Sequence, residues 1–210
     1  VQFNGVTDFT NAKFRLDLSL NGSKISYLQM DNASLGPASR IFFNGASISL
    51  VAVPWKALQK NLQFDPSSYV LLVKSYKDLG WGEDANNCYY SFRKDSQDQK
   101  PWGLSKLLDT IAWVSCGYGV RPHYALFLGM AIIIAFAIAF WLGKAIYGPT
   151  ESQEQPSFVT ALFYSAIAFT ANSKGMRFRG RYRYLGMAEG IIGWLLMALF
   201  LVTLGRIMIG

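Results

Sequence analysis

Acidic side chains are scarce in this 210-residue chain, with 13 Asp and Glu against 20 Lys and Arg and a formal charge of +7. Histidine occurs once, at His123 beside Pro122. No nucleophile–base arrangement or phosphate loop can be assembled around it, so an enzyme is not expected. Cysteine occurs twice, at Cys88 and Cys116, without metal-ligand spacing. Neither a metal nor a cofactor is expected, and free thiols in a reducing compartment are favoured over a disulfide. Val1–Gly5 has no basic region and no apolar region of a secretory leader, and without an initiating Met the chain is expected to continue upstream.

Charge is missing altogether from two long stretches. Tyr124 to Gly143 is 20 residues without a charge, close to the ~20 that cross a hydrocarbon core of about 30 Å. Gly190 to Gly205 is charge-free for 16 residues and reaches spanning length when Leu185–Ala188 and Ile207–Ile209 are added. Glu189 and Arg206 then stand near its ends. With 51% hydrophobic and 15% aromatic residues, the composition agrees with two membrane helices.

The first fifty residues contain a different regularity. Phe9, Phe14, Leu20, Ile25, Met30 and Leu35 are five apart with one step of six, and mostly small residues (Thr7, Ala12, Leu18, Ser23, Leu28, Ala33) stand two positions before each. Neither a helix nor a plain strand has a period of five. The pattern resembles pentapeptide repeats, and that resemblance implies a right-handed, four-sided β-solenoid over 1–50. Chance spacing in an irregular polar segment is the alternative. From 51 to 101 the spacing becomes helical: Tyr69, Leu72, Val73 and Tyr76 form one apolar set, and Ala85, Cys88, Tyr89 and Phe92 another. Gly80-Trp81-Gly82 is the expected turn of a helical hairpin adaptor.

After the polar hinge Ser96–Pro101, the segment 102–120 predicts an amphipathic helix. Leu104, Leu107, Leu108, Ile111 and Ala112 share a face, and Trp102, Trp113 and Tyr118 flank it. An in-plane helix at the membrane boundary is expected, with packing on a soluble domain as the alternative. CGYGV at 116–120 is expected to be a turn into the first span.

Between the two spans, Pro156-Ser157 signals a helix start, and FVTALFYSAIAF (158–169) follows, about 18 Å of helix, too short to cross. A half-length apolar segment of this kind predicts a re-entrant element. Span, loop, half-helix, Thr-containing loop and span resembles the pore module of potassium-channel-like proteins. EGIIGWLLMALFLVTLGRIMIG (189–210), GLSKLLD and CGYGVRP resemble members that carry pentapeptide repeats before the pore. The resemblance implies a homotetramer in a cell membrane, multi-pass, with residues 121–210 forming an all-α two-span pore-loop domain and the N-terminal region cytoplasmic. The fold class expected is therefore mixed: β-solenoid, helical adaptor, then all-α pore module.

The implied selectivity filter is Thr170, Ala171, Asn172, Ser173, Lys174 and Gly175. Only Thr170 and Gly175 match the family pattern, so potassium selectivity is not implied. Lys174 in a tetramer makes a ring of ammonium groups, and Arg177, Arg179, Arg181 and Arg183 add vestibule charge, which favours anions over the opposing half-charges at helix C-termini. Alternatively Lys174 turns away from the axis and pairs with Glu189 or a carbonyl, leaving a poorly selective cation pore. A non-conducting membrane-anchored scaffold is the reading from another class. Glu189 is the implied filter support, and Gly193 serves either as a hinge or for close packing. The permeant ion and lipids are the expected partners. The run 176–184 alternates basic and aromatic residues, yet nucleic acid is not expected so close to a span. The same arginines would place this loop in the cytoplasm by the positive-inside rule, against the topology the resemblance implies.

Overall fold

The computed structural model describes residues 2–146, 157–171 and 178–209. Two compact units are present, Val1–Lys106 and Leu107–Ile209.

In the first unit, seven short strands form three parallel sheets. β1 (Gln2–Asp8), β4 (Lys24–Gln29) and β7 (Ser47–Ala52) make the largest, in that order. β2 (Lys13–Phe14) pairs with β5 (Ser34–Leu35), and β3 (Leu18–Ser19) with β6 (Ile41–Phe42). Of the residues the five-residue pattern marks, Leu20, Ile25 and Met30 are buried in one core, and Phe9, Phe14 and Leu35 are half-buried against it, while Ile41 and Phe43, outside the pattern, are fully buried. The pairing is not that of four five-residue sides, which would set residue i beside i+20. Gln2 lies beside Lys24 and Lys24 beside Ser47, offsets of 22 and 23.

The expectation of a right-handed β-solenoid over 1–50 is therefore overturned, and with it the mixed fold class built upon it. The described chain is 59% helical, with only short parallel strand pairs in small sheets. The physical reason lies in the turns. Lys13 stands beside Ser34, an offset of 21, and Leu18 beside Ile41, an offset of 23, so two residues are added at 36–40 and the hydrogen-bond register departs from the apolar period.

Helix α1 (Trp55–Leu58) and helices α2 (Pro66–Asp78) and α3 (Gly82–Asp98) complete this unit's core. Asp65 caps α2: its carboxylate accepts from the Ser68 backbone N–H at 3.0 Å, with Pro66 at the first helical position. Gly80, at φ +73°, turns the chain into α3. Tyr69, Leu72, Tyr76, Ala85 and Cys88 face inward, and burial pushes the Cys88 thiol pKa up. Both cysteines are free.

Helix α4 (Leu104–Cys116) leaves Leu104, Leu107, Leu108, Ile111 and Val114 exposed. Gly117–Gly119 forms a short 3-10 turn, with Tyr118 at φ +59°. Then come α5 (Pro122–Leu142), α6 (Phe158–Phe169) and α7 (Tyr182–Ile209). α5 and α7 are long and apolar enough to cross a membrane by length and composition. Only 22% and 17% of their most apolar stretches are buried, whereas a soluble protein's core helix would be mostly covered. This points to membrane association.

Candidate functional site: a half-length helix between two long ones

Helices α5, α6 and α7 are placed by contacts at both ends and in the middle. A Cβ on Gly119, just before α5, would lie 3.3 Å from Nη1 of Arg206, near the end of α7. At the opposite end, the Arg179 N–H donates to the Ala145 carbonyl at 2.8 Å, and Phe178 pairs with Ile146. α5 and α7 are therefore antiparallel.

α6 starts where α5 ends and goes only part of the way back. Phe158 packs on Trp141, ring centroids 5.9 Å apart. Phe169, the last residue of α6, sits against Gly129, where a Cβ would come 3.1 Å from Phe169 Cζ. Leu142 lies thirteen positions after Gly129 in α5, about 20 Å at 1.5 Å per residue. The chain then returns to the end it came from, since Phe178 packs on Phe140 at 5.0 Å and on Tyr164 at 6.4 Å. Phe158 and Phe178 thus both stand at one end of the unit, away from the α6 terminus.

Small residues make the close approach possible. A Cβ on Gly193 would overlap the Phe169 carbonyl oxygen, and one on Gly190 would stand 3.0 Å from the Ala168 carbonyl oxygen. Gly190 and Gly193 thus seat the C-terminal turn of α6 at backbone contact. Ser157 opens α6, its hydroxyl accepting from the Val159 N–H at 3.3 Å. Thr170 closes it, donating through Oγ1 to the Ile167 carbonyl at 2.8 Å. Ala171 follows at φ +56°, the left-handed position at which helices usually place glycine. Thr170 and Ala171 are both exposed.

One polar cluster crosses this apolar packing. Ser165 Oγ donates to the Ile133 carbonyl of α5 at 2.8 Å and also contacts Glu189 Oε1 on α7. Ser165 and Glu189 are fully buried. Among the described residues, the second carboxyl oxygen of Glu189, Oε2, has no hydrogen-bond partner.

Of the residues singled out by sequence, Thr170, Ala171, Glu189 and Gly193 gather within two turns of the α6 terminus. Arg179, Arg181 and Arg183 are exposed around the start of α7, and the Arg181 guanidinium lies 5.9 Å from the Tyr182 ring centroid. Asn172, Ser173, Lys174, Gly175 and Arg177 lie outside the described residues. Ser165 and Gly190 were not singled out as site residues. Ser165 carried one signal, a hydroxyl within an apolar helix. Among the described residues no cluster of metal-ligating side chains occurs. No family model, no curated protein and no solved structure matches this chain.

Proposed function

We propose that this chain is a subunit of a tetrameric pore-loop ion channel, with α5 and α7 as spans and α6 as the half-helix that carries the filter Thr170–Gly175. The observation that supports it most is that Phe158 and Phe178 stand at one end of α5 while α6 ends about 20 Å away beside Gly129 and Gly193. Exposed non-helical backbone at that depth, as at Thr170 and Ala171, is tolerated in a membrane only against protein or water. Copies arranged around an axis, with the α6 termini meeting at a water-filled centre, supply both. The exposed apolar face of α4, with Trp102 beside it, fits the plane of a bilayer interface. We assign residues 1–101 to the cytoplasmic side of a cell membrane.

Lys174 gives the proposed filter a ring of positive charge, and a full charge in a water-poor constriction outweighs the half-charges of the α6 C-termini. Anion permeation is the selectivity this favours. The test is the reversal potential of the reconstituted full chain in asymmetric chloride salts. It should lie towards the chloride equilibrium value, and Lys174→Glu should move it towards cations while Lys106→Glu on α4 moves it little. A wild-type preference for potassium refutes the anion reading. A monomer or dimer by mass in mild detergent refutes the tetramer.

A further inference from the structure

The Ser165–Glu189 contact contains a counting problem. A hydroxyl has one hydrogen to donate, yet Ser165 Oγ faces two oxygens, the Ile133 carbonyl at 2.8 Å and Glu189 Oε1. The carbonyl can only accept. If Glu189 were a carboxylate it too could only accept, and one of the two contacts would join bare lone pairs.

We propose that Glu189 is a neutral carboxylic acid that donates its proton to Ser165 Oγ, while Ser165 donates to the Ile133 carbonyl. The result is a directed chain from α7 through α6 to α5. The surroundings agree with this assignment. Glu189 is fully buried, and its Oε2 lacks a partner among the described residues, a position a charged carboxylate tolerates poorly. α5 has no charged residue from Tyr124 to Leu142, and α6 has none at all. On α7 the basic residues Arg183 and Arg206 stand six and seventeen positions from Glu189, and Arg183 is exposed.

Two donated hydrogen bonds in an apolar, water-excluded setting fix rotation and depth of α6 more sharply than the glycine packing alone. Glu189 and Ser165 are thus positioning residues for the turn that ends at Thr170. The link lies within one subunit and is independent of conduction.

The experiment is difference infrared spectroscopy of the full chain at neutral pH, wild type against Glu189→Gln. A carboxylic-acid carbonyl band should be present in wild type and lost in Glu189→Gln, and Ser165→Ala should shift it by removing its acceptor. Thermal stability gives a second readout. Glu189→Gln should stay close to wild type because its amide N–H donates to Ser165 in the acid's place, whereas Glu189→Ala should melt several degrees lower. A difference spectrum holding only carboxylate bands overturns the proposal. Equal loss of stability in Glu189→Gln and Glu189→Ala overturns it as well.

Discussion

Gly193→Ala is a small perturbation whose sign distinguishes two roles for one residue. A methyl group there would overlap the carbonyl oxygen of Phe169. That oxygen belongs to the backbone at the end of α6, and the Phe169 ring is itself lodged against Gly129, so neither neighbour can swing aside as a flexible side chain would. α7 and α6 must separate. Forced overpacking of this kind typically costs about 1–3 kcal/mol. Alanine's better helix propensity returns roughly 1 kcal/mol. With rigid backbone on the receiving side the upper part of the overpacking range applies, leaving a net loss of about 1–2 kcal/mol. Gly205 is the internal control, because nothing lies within 4 Å of a Cβ there. Gly205→Ala should therefore gain up to roughly 1 kcal/mol from propensity alone. Thermal unfolding of the purified full chain in one detergent compares them, at roughly 2–4 °C per kcal/mol for a protein of this size. A hinge without a packing role predicts that Gly193→Ala stiffens α7 and raises the midpoint as Gly205→Ala does. A midpoint for Gly193→Ala at or above wild type would refute the packing argument.

Other expectations follow from single contacts. Ala171→Gly should stabilise the end of α6 by about 1 kcal/mol, because it removes a Cβ from a left-handed residue, and Ala171→Val should destabilise it; thermal melts of both variants check the sign. Asp65→Ala should cost about 1 kcal/mol in chemical denaturation through loss of the α2 cap. The Ser67 hydroxyl beside Asp65 holds its carboxyl below the ordinary value of 3.8. The cap's contribution is therefore complete above that value and fades as pH falls through the lowered one, so wild type and Asp65→Ala should converge in strong acid. Cys88, buried with its thiol pKa pushed up, should resist alkylation at neutral pH until the first unit unfolds.

The glycine contacts also show where composition is an incomplete guide. Gly190 and Gly193 look alike in the sequence as interruptions of an apolar run. Their positions against Ala168 and Phe169 make them seats for one particular helix end, while Gly205 meets nothing. Ser165 is a comparable case. A hydroxyl in an apolar helix is compatible with any facing surface, and its partners on α5 and α7 are 32 and 24 residues away in sequence.

What the sequence determined by itself was local and one-dimensional. The bounds of α6 and the apolar cores of α5 and α7 were legible because uncharged stretches of fixed length have few alternatives, and the lone acid in the second long helix marked Glu189. The five-residue spacing in 1–50 correctly marked inward residues such as Leu20, Ile25 and Met30. It did not determine how strands pair, because register depends on how many residues each connection consumes, and the connection at 36–40 widens the offset from 21 to 23. Only the tertiary structure decided that the chain returns from Phe169 to the end it entered, and that a serine and a glutamate meet in the apolar packing. Both depend on close contact between elements far apart in sequence, and such contacts are selected by shape and hydrogen-bond direction, which no single segment encodes.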